Sequence, residues 1–138
     1  MRILVVDDNP EIVEELSSTL RRRGHEVVSV TGVKEALVAL ATMSPVAVVI
    51  TDMRLPEGSG ADVLRMANRL HPDAHRFLMS GEASGREIDE ARREGLQAIF
   101  WKPISIKMVV DAVRDMDKAM QRRDGTGHDD SARTAWTQ

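Results

Sequence analysis

A chain of 138 residues that is 42% hydrophobic and 30% charged fits one folded domain with a single core. Its formal charge of −3 points away from nucleic acid and from an anionic membrane surface as direct partners. The absence of cysteine excludes disulfides, thiolate catalysis and thiolate zinc sites, and no apolar stretch has the length of a signal peptide or a membrane span, so a soluble, cytoplasmic chain is expected.

Short apolar runs alternate with helical patterns along the chain. Ile3 to Val6 reads as a first strand that stops at Asp7-Asp8. Asn9 or Asp8 is placed to cap a helix whose first turn holds Pro10, where a missing N–H costs nothing. Ile12, Leu16 and Leu20 then recur every fourth residue, and Gly24 stands where a helix end favours a left-handed residue. Val27 to Val30 gives a second strand, and Val33, Ala36, Leu37 and Leu40 the face of a second helix. Val46 to Ile50 is continuously apolar, as suits a parallel strand covered on both sides, and runs into Thr51-Asp52.

The second half keeps this rhythm. Val63, Leu64, Ala67 and Leu70 mark a third helix, Phe77 to Met79 a strand ending at Ser80-Gly81, and Ile88 with Ala91 a weakly amphipathic helix. Ala98 to Trp101 is the fifth strand, ending at Lys102-Pro103; Val109, Ala112, Val113, Met116 and Met120 line the last helix. Strands alternating with helices predict right-handed crossovers and a doubly wound α/β domain over residues 1–121, with a five-stranded parallel sheet covered by helices on both faces. Residues 122–138 lack periodicity and are expected to form a flexible tail.

In such a sheet the working residues lie beyond the carboxyl ends of the strands. Those ends supply Asp7, Asp8, Asp52, Ser80 and Lys102. Any one of them alone would pass for a turn or cap residue; all of them directly after strands converge on one edge. Carboxylates brought together repel, each pair costing about 4 kcal/mol at ~4 Å and an effective dielectric near 20. The site must therefore take up a proton or a cation, and a few hard oxygen ligands suit Mg²⁺ better than Ca²⁺. A metal on Asp8 and Asp52 would leave one Asp52 oxygen free as nucleophile, with Lys102 and Ser80 available to phosphoryl oxygens. The set makes chemical sense as in-line phosphoryl transfer to a carboxylate.

The segments ILVVDDN, VVITDMRLPEGSG, FLMSG and FWKPI, in this order, resemble the signature of response-regulator receiver domains over about residues 1 to 120. The resemblance implies the flavodoxin-like (βα)₅ fold, with Asp52 as phosphoacceptor for a sensor histidine kinase or phosphotransfer protein. It also implies Mg²⁺ on Asp7, Asp8, Asp52 and the backbone carbonyl of Arg54, Ser80 and Lys102 as partners of the phosphoryl group, and a cis Lys102–Pro103 bond. Pro56 and Gly60 fit the turn after the acceptor strand. Phosphorylation would switch binding to an output protein, with homodimerisation as one form of response. The competing reading is a receiver-shaped interaction module that works without phosphorylation; the intact pocket set opposes it. A haloacid-dehalogenase-type phosphatase is excluded because no aspartate follows two residues after Asp7, Asp8 or Asp52. A flavodoxin-like cofactor binder is disfavoured by acidic residues where a phosphate would sit.

Two departures from the family pattern stand out. Ile99 occupies the position that usually carries a switch aromatic, which implies a muted or altered switch. Phe100 and Trp101 are expected chiefly to fill the core, with Trp101 sharing the side of Ile99. Arg54 and Glu82 carry opposite charges beside the pocket; their pairing across its mouth would prolong the phosphoryl lifetime. His25, His71, His75 and His128 show no metal-ligand spacing, and Arg21-Arg22-Arg23 suits the last turn of the first helix. Trp136 lies in the polar tail without an assigned role.

Overall fold

The computed structural model describes residues 1–126 of the chain. In chain order the elements are β1 (Arg2–Val6), α1 (Pro10–Arg22), β2 (Glu26–Val30), α2 (Val33–Thr42), β3 (Val48–Asp52), β4 (Arg54–Leu55) and β5 (Gly58–Ser59). They continue with α3 (Gly60–Leu70), β6 (His75–Ser80), α4 (Gly85–Arg93), β7 (Ala98–Trp101) and α5 (Ile106–Thr126). Five strands form one sheet in the order β2-β1-β3-β6-β7, and every neighbouring pair is parallel. This is the doubly wound, flavodoxin-like arrangement expected from the alternation of short apolar runs with amphipathic segments.

Side-chain alternation along the strands divides the interior into two layers. Ile3, Val5, Val48, Ile50, Phe77, Met79 and Phe100 point to one face, where they pack with Leu16 and Leu20 of α1 and Val109 and Val113 of α5. Phe77 and Phe100 meet edge to face with ring centroids 5.6 Å apart. Leu4, Val6 and Val49 point to the other face, against Val33 and Leu40 of α2 and Val63 and Ala67 of α3. A smaller cluster of Met53, Leu64, Leu78, Ala91 and Ile99 lies beneath α4. Ala91 is the only buried residue of that helix, so α4 rests on the thinnest apolar footing of the five.

Local chemistry sets the ends. Asn9 caps α1 by accepting from the Glu11 amide, with Pro10 as the first helical residue, and Gly24 takes φ +92° just beyond the helix. Several features lay outside the sequence reading. β3 begins at Val48, because Val46, although buried, precedes the ladder and follows a cis Ser44–Pro45 bond. The antiparallel two-residue ladder of β4 and β5 follows β3. Helix α5 continues to Thr126, through the first residues of the stretch read as tail; His128 and Trp136 lie outside the described residues.

Gly60 is where packing and site meet. Its amide donates to the Met53 carbonyl at 2.8 Å, and a Cβ placed on it would fall 2.3 Å from the backbone oxygen of Asp52. Gly60→Ala must therefore displace the backbone at Asp52, and we expect it to lower unfolding free energy by about 1–3 kcal/mol, as overpacking does. Urea unfolding measures this, and wild-type stability would contradict the close approach.

Candidate functional site at the carboxyl edge of the sheet

Strand order reverses between β1 and β3, and the ends of these two strands carry the acidic residues. Asp7 follows β1 directly; its backbone amide bonds to the Val30 carbonyl at 3.2 Å, which extends the ladder by one step and fixes the residue at the edge. Its side chain is fully buried, and Oδ1 accepts from the Asn9 amide at 2.9 Å. Asp52 is the last residue of β3 and is nearly buried, whereas Asp8 is exposed. Ligand oxygens of Asp7, Asp8 and Asp52 come within 4.8 Å of one another.

Lys102 closes the cluster. Its amide bonds to the Ser80 carbonyl at 2.7 Å, so β6 and β7 hold it in register, and the bond to Pro103 is cis. The side chain reaches across the strand ends to place Nζ 2.9 Å from Asp52 Oδ2 and 3.0 Å from Asp7 Oδ2. Burial alone would push this lysine down, but its bonds to Asp52 and Asp7 outweigh burial and hold its ammonium above the usual range. Burial pushes the Asp7 carboxyl up, with the charge of Asp52 adding to it, against the opposing pull of the Asn9 amide and Lys102. Asp7 Oδ2 has no hydrogen-bond partner besides this ion-pair contact. Three hard carboxylates, one of them with a buried oxygen so poorly satisfied, form a donor set that fits a divalent cation with oxygen preference.

Ser80, the last residue of β6, is fully buried. Its hydroxyl donates to the Glu82 carbonyl at 2.9 Å and accepts from the Glu82 amide at 3.2 Å, so here it is engaged in its own turn. The structure thus brings Asp7, Asp8, Asp52 and Lys102 into one cluster and sets Ser80 at the end of the adjacent strand. Arg54 opens β4 with its side chain exposed.

The expected pairing of Arg54 with Glu82 is not what forms. Arg54 makes a two-pronged ion pair with Glu87 in the first turn of α4, at 2.8 Å and 3.0 Å. Glu87 is held there by a capping box: its amide donates to Ser84 Oγ at 3.1 Å while its carboxylate accepts from the Ser84 amide at 3.0 Å. The Ser-x-x-Glu spacing at 84–87 is the sequence signal that identifies this residue. The expectation that both aromatics fill the core also needs correction. Phe100 and Ile99 are buried, but Trp101, the last residue of β7, is 47% exposed.

Fold and edge together define a doubly wound α/β domain with an acidic, lysine-bridged site where the strand order reverses. The chain belongs to the response regulator receiver domain family, whose profile matches residues 3–114. It is 36% identical over 110 residues to a response regulator receiver protein of Anaeromyxobacter sp. (strain Fw109-5), covering 80% of this chain and 46% of that protein. It is 33% identical over 117 residues to the response regulator protein PilR of Pseudomonas aeruginosa, covering 82% of this chain and 26% of PilR. The chain thus spans less than half the length of either relative. In fold it resembles a CheY-like receiver domain protein from Methanospirillum hungatei JF-1, with a TM-score of 0.81 at 24% identity over 88% of this chain and 97% of that one. Phosphorylation-based two-component signalling is accordingly the setting of this domain.

The strained acid of the site has a consequence for stability. The folded Asp7 carboxyl titrates above its reference value of 3.8, so ionising it weakens the folded state, and the loss develops as pH rises from 3.8 through the raised folded value. Asp7→Asn removes that loss and keeps an oxygen for the Asn9 amide. In metal-free buffer it should be more stable than wild type at neutral pH, with the advantage fading as pH falls through the raised folded value and gone below 3.8. Thermal melts across pH check this, and a variant weaker than wild type at neutral pH would contradict it.

Proposed function

We propose that this receiver takes a phosphoryl group on Asp52 from the phosphohistidine of a sensor histidine kinase or phosphotransfer protein. The observation that carries this reading is the ammonium of Lys102 within 3.0 Å of carboxylate oxygens on both Asp52 and Asp7. An Asp52 oxygen attacks phosphorus in line; the P–O bond of an acyl phosphate forms as the P–N bond to histidine breaks, and the electron pair leaves with the imidazole. Asp7, Asp8 and Asp52, with the Arg54 carbonyl, are the residues that would hold Mg²⁺, which when bound supplies positive charge against the phosphoryl oxygens.

The protein's own groups do the rest. Lys102 gives up part of its contact with Asp52 to neutralise a phosphoryl oxygen, a point charge already positioned by β7. The Ser80 hydroxyl is placed to exchange its bond with the Glu82 carbonyl for one to the phosphoryl group, which moves the turn after β6. We infer that this shift changes the surface offered to an output protein, or to a second copy of the domain. Because Ile99 is aliphatic and buried, a ring moving between buried and exposed positions at that residue is not the device.

Acetyl phosphate with Mg²⁺, read by intact mass, tests the assignment. Wild type should gain one phosphoryl adduct, lost without Mg²⁺ and absent from Asp52→Ala. No adduct on wild type would favour an interaction module that works without phosphorylation.

A further inference from the structure

Helix α4 is joined to the rest of the domain mainly by charge. Its apolar contact is Ala91, aided by the partly buried Ile88. Against this, Arg54 grips Glu87, and Arg65 of α3 reaches Glu90 at 3.1 Å and Glu94 at 3.2 Å. The first of these ties differs in kind from the second. Arg65 sits in the middle of α3, well along the chain from Asp52, whereas Arg54 lies two residues beyond Asp52, at most about 7 Å along the chain. Glu87 is also the acceptor of the capping box, so one carboxylate both starts α4 and anchors it. Hydrogen bonding from the Ser84 amide, then the charge of Arg54, holds its carboxyl below the ordinary range.

We propose that Arg54 is a charge relay between the site and α4: a phosphoryl group on Asp52 competes with Glu87 for the Arg54 guanidinium and thereby releases the first turn of α4. The inference rests on Asp52 being the acceptor. A phosphoryl group bears more charge than a carboxylate and offers the same two-pronged acceptor geometry that the guanidinium fork recognises. The pair to be broken is weak, since the Arg54 side chain is 61% exposed and solvent screens it. What loosens is the most lightly packed helix, so a small change at one ion pair is enough to register there. Arg65 keeps the C-terminal half of α4 in place, which confines the release to the turn around Ser84–Glu87. Such an exchange would give a domain with Ile99 at the switch position a route from site to surface that needs no aromatic ring.

Hydrogen exchange of the α4 amides in the full chain, before and after acetyl phosphate with Mg²⁺, tests this with the mass adduct followed on the same sample. In wild type, the adduct should raise exchange in the first turn of α4 by about two- to fivefold, the range set by an exposed ion pair, and leave the last turn unchanged. Glu87→Gln keeps an oxygen for the Ser84 amide and loses the ion pair; its first turn should exchange faster without phosphoryl and show no further rise with it. Ser84→Ala weakens the cap but keeps Arg54–Glu87, so it should start faster and still respond. An adduct on wild type with no change in α4, or a Glu87→Gln response equal to wild type, overturns the relay and leaves the acceptor assignment intact. No adduct on wild type overturns both.

Discussion

One ammonium holding two buried carboxylates is the interaction on which the rest of this structure depends. Asp7 and Asp52 stand at the ends of neighbouring strands, so the register that builds the sheet also forces their charges together. Lys102, from the edge strand β7, spans the intervening strand end to reach both. Without that charge the edge would carry acids that neither burial nor each other tolerates. With it the site is neutralised only in part, since a single ammonium faces two carboxylates. A centre left short of positive charge is suited to receive a cation and to respond when a phosphoryl group redistributes the charges.

The scaffold converts this tension into geometry. The apolar runs of β1, β3 and β6 are buried on both faces, which leaves their carboxyl ends as the first places where polar side chains emerge. The turn beyond β3 folds back so closely at Gly60 that no side chain fits there against the backbone oxygen of Asp52. Close packing on the β1–β3 side contrasts with α4, whose footing is a single buried alanine and a set of arginine–carboxylate pairs. The proposed change of charge at the site would register there, where packing is least.

The fold was legible because local and global signals agree. Runs such as Val46–Ile50 have the length and β-branching of buried parallel strands, and the helices show their faces and caps in spacing alone. The same reading placed Asp7, Asp8, Asp52, Ser80 and Lys102 at one edge, since each follows an apolar run. It missed what depends on distance in three dimensions. Glu87 rather than Glu82 partners Arg54: the Glu82 backbone is engaged by Ser80 in the turn after β6, while the capping box holds the Glu87 carboxylate that Arg54 reaches. The exposure of Trp101, on the same strand as the buried Ile99 and Phe100, is something no strand period reveals. The start of β3 was misplaced because hydrophobicity marks burial, and Val46 is buried without being paired.

Asp7, Asp8 and Asp52 form a cluster short of positive charge, which we propose a divalent cation completes. The most direct measurement is the thermal midpoint of the metal-free protein in increasing Mg²⁺ at constant ionic strength. Binding to the folded state alone raises stability by RT ln(1 + [Mg²⁺]/Kd), about 2.7 kcal/mol at a hundredfold excess over Kd. The midpoint should rise saturably in wild type, and the rise should be lost in Asp52→Asn. A midpoint that does not move with Mg²⁺, or moves equally in both proteins, would contradict it.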